Sequence, residues 1–167
     1  MTFAFEIKTA TKTELYRDLY SALDALTVGE ADAIANMANA ASLIWEYLPD
    51  INWAGFYRVV GGELVLGPFQ GKVACIRIKI GQGVCGTAAS SLQTQLVDDV
   101  DAFPGHIACD SASRSELVVP ILANGRLIAV LDIDSPSLAR FDDQDATGIE
   151  SLAKLLGPRL SNALASD

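Results

Sequence analysis

The sequence predicts an α+β fold built on one central, mostly antiparallel sheet. Three observations carry that expectation. Apolar residues recur at helical spacing in the first fifty residues and again beyond Phe141. Between these stretches the period falls to two. Those period-two segments are joined by Gly61-Gly62 and Asn124-Gly125, dipeptides that favour hairpin turns and therefore antiparallel neighbours. Helices outside a run of strands segregate onto the sheet instead of alternating with it.

Each element has its own justification. Thr11-Lys12-Thr13-Glu14 has capping-box spacing and opens a helix carrying Leu15, Leu19, Leu23 and Leu26. A second helix is expected from about Glu30 to Leu48, with Ile34, Met37, Ala38, Ala41, Ile44 and Leu48 on one side and Pro49-Asp50 as its stop. Asn52–Val60 and Glu63–Phe69 flank the Gly-Gly turn as a hairpin. Ala74–Ile80 reads as a short strand, Gly81-Gln82-Gly83 leads into a helical VCGTAASSL, and Thr94–Val97 reads as another strand. Glu116–Leu122 and Arg126–Asp134 pair around Asn124-Gly125. The last helix starts near Phe141-Asp142 and carries Ile149, Leu152, Leu155, Leu156 and Leu160. Pro158 lacks an N–H and should bend or end it. With no repeat, low-complexity segment or linker, residues 1–167 are expected to form a single domain.

Composition narrows the function. At 167 residues, 50% hydrophobic and 20% charged, the chain can bury a real core. Its 12 basic and 21 acidic residues leave a formal charge of −9, which repels nucleic acid and anionic lipid. No apolar run approaches membrane-spanning length, and MTFAFEIKTATKTE lacks the basic start and apolar stretch of a signal peptide. A cytoplasmic location is the expectation, and three cysteines, an odd number, do not suggest a secreted disulfide framework.

The cysteines stand at Cys75, Cys85 and Cys109, and with one histidine, His106, they form no zinc pattern. Each could be a small buried hydrophobe. Cys109 fits that description worst, because it lies in a loop between Pro104-Gly105 and the polar run DSASRS. Cys85 follows Gly81-Gln82-Gly83 at a helix start, where the dipole favours a thiolate, and is the rival nucleophile. Cys75, in an apolar segment, is the most core-like. His106 reads as a loop-shaping donor to a backbone carbonyl, with a proton-donor or thiolate-partner role as the alternative.

In LIAVLDIDSP, Asp132 and Asp134 interrupt an apolar strand and share a face with Ile128 and Val130. A two-residue Asn124-Gly125 turn alone sets Glu116 opposite Ile133, on the wrong face. A three-residue Ala123-Asn124-Gly125 loop, or an equivalent bulge, brings Glu116 onto the face of the two aspartates, opposite Asp132 in the three-residue case. That arrangement is expected here. Three acids on one face receive an ammonium group, and one of them can hold a proton to donate. Trp53 and Tyr57 face the same way, as core aromatics or as the wall of a ligand site.

Together, NWAGFY, GPFQGKVACIRIKIGQGVCGTA, FPGHIACDSASRSELVVP and VLDIDSP resemble the free methionine-(R)-sulfoxide reductase family, built on a stand-alone GAF domain, over about Leu15 to Leu160. The resemblance implies a GAF-like sheet with the terminal helices on one face and a ligand pocket on the other. It implies Cys109 as nucleophile, Cys75 as the resolving thiol that forms a disulfide, and Cys85 in an auxiliary role. It also implies substrate contacts from Trp53, Tyr57, Glu116, Asp132 and Asp134, with Glu116 a candidate proton donor. Thioredoxin is the implied reductant, a homodimer the implied assembly, and no bound cofactor or metal is implied. The competing readings are a GAF module sensing a small molecule such as a cyclic nucleotide, and a thiol redox sensor.

Overall fold

The computed structural model describes residues 11–107 and 110–164. Among them the order is α1 (Lys12–Thr27), α2 (Ala33–Tyr47), β1 (Trp53–Val60), β2 (Glu63–Gly71), β3 (Arg77–Lys79), α3 (Gly83–Ser91), β4 (Gln95–Val97), β5 (Ser115–Ala123), β6 (Arg126–Ser135) and α4 (Asp143–Leu164). The strands form one sheet, β3-β2-β1-β6-β5-β4, with every neighbouring pair antiparallel. Leu19, Met37, Ile44, Phe56, Leu131 and Ile149 are among the side chains that join α1, α2 and α4 to one face of the sheet. Tyr57, Leu64, Val84, Val118 and Val130 form a smaller cluster with α3 on the other. This is the predicted α+β layout, with helices on one face and room for a site on the other.

The capping box is present: Thr11 Oγ1 accepts from Glu14 N–H at 3.2 Å, and the Glu14 carboxylate accepts from Thr11 N–H at 3.1 Å. Helix α2 starts three residues later than expected because Asp32 caps it, its Oδ1 accepting from Ala35 N–H at 2.8 Å. That start fixes its buried stripe as Ala33, Met37, Ala40, Ala41, Ile44 and Leu48. Ile34 and Ala38, expected on the buried side, lie roughly 100° and 140° around the helix from Ala33 and are exposed.

Strand β3 is shorter than the predicted Ala74–Ile80. Continuing its register with β2 sets Pro68, which has no N–H, opposite Ala74, so pairing stops before that point. Of the two outcomes expected at Pro158, a bend or an end, the helix does not end there; α4 runs on to Leu164. Leu156 and Leu160, either side of it, are fully buried. Burying the two leucines contributes roughly 3–6 kcal/mol, enough to offset a proline cost of about 3 kcal/mol.

One ionic node ties α1 to α4. Asp145, fully buried, accepts from Lys12 Nζ at 2.6 Å, Tyr16 Oη at 2.7 Å and Arg140 Nη1 at 3.2 Å. Asp145→Ala strands these donors without their anion and is expected to cost about 3–5 kcal/mol. Urea denaturation checks this; a loss under about 1 kcal/mol contradicts it.

Candidate active site

The turn between β5 and β6 decides where the acids lie. Asn124 and Gly125 have φ of 51° and 75°, and Ala123 pairs with Arg126, so the loop has two residues rather than the expected three. Left alone, that register turns Glu116 away from the aspartates. It is corrected by a bulge: Leu122 pairs with Leu127 but Ile121 pairs with Ala129, which leaves Ile128 as the extra residue. Glu116 then sits opposite Asp134, and Val118 opposite Asp132. All three acids share one face as expected, although the three-residue loop would have paired Glu116 with Asp132. The bulge also sends Ile128 to the helix side, so it does not share the acids' face.

Strand β1 completes the surface. Trp53 lies opposite Asp134, Gly55 opposite Asp132 and Tyr57 opposite Val130. Trp53 stacks on Tyr57 with centroids 5.9 Å apart and on Phe69 at 5.2 Å. Its indole N–H donates to the Lys72 carbonyl at 3.1 Å, anchoring the loop that carries Cys75. Gly55 is required beneath this stack, because a Cβ there would lie 2.3 Å from Phe69 Cβ and 2.7 Å from the Trp53 ring. The aromatics are therefore packed core on one side and pocket wall on the other.

These residues line a cavity of about 30 Å³, closed on its other sides by Cys85, His106 and Asp110. No lysine or arginine is among the described residues that line it. Glu116 and Asp132 are each 6% exposed. Burial, then the charges of Asp132 and Asp134, hold the Glu116 carboxyl well above the usual carboxylate range. Asp134 is likewise pushed well up, by burial and then by Asp132 and Asp110. Burial raises Asp132 to about 6, while hydrogen bonds from Cys85 and Glu116 pull it back. Asp132 Oδ1 is buried without a hydrogen-bond partner among the described residues. The face is short of positive charge and of donors, a natural receptor for a cation.

Cys85 lies beneath the acids, its sulfur 4.0 Å from Glu116 Oε1. The helix start does not make it a thiolate as expected: burial, then Asp132 and Glu116, push the thiol well up. Its sulfur and carboxylate oxygens of Glu116 and Asp132 lie within 4.8 Å of one another, a donor set that suits a divalent metal as well as an ammonium. Cys75 is disulfide-bonded, and Cys85 is a free thiol. Cys109 lies outside the described residues. His106 Nε2 is 3.8 Å from Glu116 Oε2, too far for a hydrogen bond, and burial lowers its pKa despite Asp101. Its ring is a neutral part of the pocket wall, and among the described residues it makes no hydrogen bond to a backbone carbonyl.

Sequence reasoning missed the polar clamp at the rim. Asn52 Nδ2 donates to Asp110 Oδ2 at 3.3 Å and to Ser113 Oγ at 3.1 Å, and Lys72 Nζ is 3.3 Å from Asp110 Oδ2. The N–H of Ala112, then the Lys72 ammonium, hold Asp110 below its ordinary value. The signal available was the polar run after Cys109, but nothing local says which partner each residue meets.

The raised carboxyls make stability depend on pH. In the folded state they keep protons that the unfolded chain releases near pH 4, so stability falls as pH rises from about 4 through 6 and beyond. For Asp132 the change from 3.8 to about 6 corresponds to about 3 kcal/mol by pH 7. Asp132→Asn is therefore expected to melt higher than the parent at pH 8 and level with it near pH 4. Calorimetry at the two pH values checks this; a variant destabilised equally at both contradicts it.

An antiparallel sheet with helices on one face and a small ligand cavity on the other defines the class, and the GAF domain family matches residues 25–160. A free methionine-R-sulfoxide reductase from Neisseria meningitidis, solved in complex with its substrate, is 44% identical, covers 99% of this chain and 100% of that one, and superposes with a TM-score of 0.93. The free methionine-R-sulfoxide reductase of Escherichia coli (strain K12) is 52% identical over 145 residues, 87% of this chain and 88% of that one. The one from Saccharomyces cerevisiae is 48% identical over 153 residues, 87% of this chain and 85% of its own. The chain belongs to the GAF domain family and, within it, to the free methionine-R-sulfoxide reductases.

Proposed function

We propose that this chain reduces free L-methionine (R)-sulfoxide to methionine with its own cysteine thiols. The observation that carries the reading is the buried face of Glu116, Asp132 and Asp134, with no lysine or arginine among the described residues around it. The α-ammonium of a free amino acid meets that demand; a residue within a peptide has no such charge. Trp53 and Tyr57 hold the S-methyl end. A cyclic nucleotide, the ligand of the rival sensor reading, would bring a phosphate onto three carboxyls.

The chemistry follows from these parts. The Cys109 thiolate attacks the sulfoxide sulfur while Glu116, kept protonated by burial, gives its proton to the oxygen. The S–O bond then breaks as the hydroxyl passes to Cys109 Sγ, the transient bond between the two sulfurs opens, methionine leaves as the thioether, and Cys109 is left as a sulfenic acid. The Cys75 thiol condenses with it, forming an S–S bond and releasing water. Thioredoxin restores both thiols by exchange. A disulfide-bonded Cys75 beside a free, buried Cys85 supports this division of labour. Cys85 is auxiliary, a proton-bearing neighbour of the acids. These steps call for no metal or bound organic cofactor.

The described residues leave a cavity of about 30 Å³, and substrate entry is proposed to move the segment that leads into α3. Gly81 and Gly83, with φ of 90° and 63°, are the hinges proposed for this movement. One assay tests the function. Protein supplied with thioredoxin, thioredoxin reductase and NADPH is expected to consume NADPH when given free methionine (R)-sulfoxide, and not with the peptide-bound form. A sensor or a regulatory disulfide gives a single stoichiometric reaction and no turnover.

A further inference from the structure

The surface around Cys75 differs in character from the rest of this acidic chain. From Leu64 through Val97 the sequence contains no aspartate or glutamate, while Lys72, Arg77 and Lys79 lie within it. Val73 and Ile76, either side of Cys75, are 86% and 72% exposed, more than any other large hydrophobic among the described residues. Lys72 is 3.3 Å from Asp110, and Arg77 is 3.3 Å from Glu63. Lys79 makes no ion pair among the described residues. The segment leads into β3, the edge of the sheet.

Cations on an edge strand have an ordinary purpose, which is to discourage strands of other molecules from adding. That accounts for Arg77 and Lys79. It does not account for two branched aliphatic side chains standing in water beside a disulfide-bonded cysteine, since exposed apolar surface invites the same association.

We propose that Lys72–Lys79 is the docking surface for the protein dithiol that recycles the enzyme. The partner is one whose reactive thiol emerges from an apolar patch with an acidic rim. The proposal rests on the thiol cycle above and adds where the reductant lands. Val73 and Ile76 seat against the apolar patch, and Lys79 with its cationic neighbours meets the rim. Elsewhere the net charge of −9 repels an acidic partner, so this patch also selects the orientation of approach. The partner's thiolate attacks Cys75 Sγ, and the bond to the other sulfur breaks. That sulfur leaves with the electron pair and takes up a proton, giving a mixed disulfide between Cys75 and the partner. The partner's second thiol then displaces Cys75, leaving two thiols on this chain and a disulfide on the partner.

The test compares a protein reductant with a small one. Ile76→Asp and Lys79→Glu are assayed with thioredoxin, its reductase and NADPH, and separately with dithiothreitol. Each is expected to raise the KM for thioredoxin about tenfold, while the dithiothreitol-driven rate and the sulfoxide KM stay within about twofold of the parent. Raising salt from about 20 to about 200 mM is expected to raise the thioredoxin KM of the parent more than that of Lys79→Glu. Equal losses with both reductants, or an unchanged thioredoxin KM, overturn the docking surface. Absence of parental turnover with either reductant would count against the proposed function instead. Docking is then read from a mixed-disulfide trap with thioredoxin whose second active-site cysteine is serine. Peptide mapping is expected to find it on Cys75 in the parent, at reduced yield in both variants. Attachment at Cys109, or undiminished yields, overturns the proposal.

Discussion

Cys109→Ser is expected to abolish sulfoxide-dependent NADPH consumption, a fall of at least about 10³-fold in kcat/KM. The reaction needs a nucleophile soft enough to attack a sulfoxide sulfur and able to carry the oxygen away as a sulfenic acid. A serine hydroxyl is almost wholly protonated at neutral pH and has no comparable oxidised state. The other cysteines are expected to respond differently. Cys75→Ser keeps one turnover per molecule, seen as a stoichiometric burst of methionine, and then stalls because no resolving thiol is present. Cys85→Ser stays within about tenfold of the parent, because the Cys85 thiol is already held protonated by burial and the neighbouring acids. Full activity in Cys109→Ser would move the nucleophile to Cys85 despite that environment.

Glu116→Gln is expected to lower kcat by about 10²–10⁴-fold and leave the sulfoxide KM within a few-fold. Glutamine preserves the shape and can still hydrogen-bond, but it has no acidic proton to give the departing oxygen. The parent's pH profile should show two limbs of opposite origin. Asp132, at about 6, loses its charge as pH falls, so KM rises below that value when the substrate ammonium loses a partner. Glu116, held well above the ordinary range, loses its proton as pH rises, so kcat falls on the alkaline side. Glu116→Gln removes the alkaline limb and retains the acid one. If kcat survives the substitution with both limbs intact, Asp132 or Asp134 supplies the proton.

Local sequence was a sufficient guide wherever one segment decides its own conformation. The Thr11–Glu14 capping box, the Gly61-Gly62 turn and the alternation that sets Trp53 with Tyr57 and Asp132 with Asp134 all depend on neighbours a few residues apart. The acid face was legible for the same reason: period-two geometry allows Glu116 either the right face or the wrong one, and only a residue inserted in the hairpin gives the right one. Where the insertion falls was not legible. Asn124-Gly125 closes a tight two-residue turn by its own preference, and the extra residue moves into the strand at Ile128. There the shift buries Leu131 and Ile133 against the helices while Asp132 faces the pocket.

The amino-acid order alone determined the mixed helix-and-sheet class, the polarity of each strand face and the three thiols and three acids from which a site could be built. Tertiary structure decided their electrical state and reach: a thiol at a helix start became a buried neighbour of carboxyls, a histidine turned toward Glu116, and Pro158 stayed inside its helix. The reason is one of range. Backbone preference and side-chain alternation act between residues close in sequence, whereas desolvation, charge pairing and the burial that overrides a proline depend on atoms that meet only after the sheet has closed against its helices.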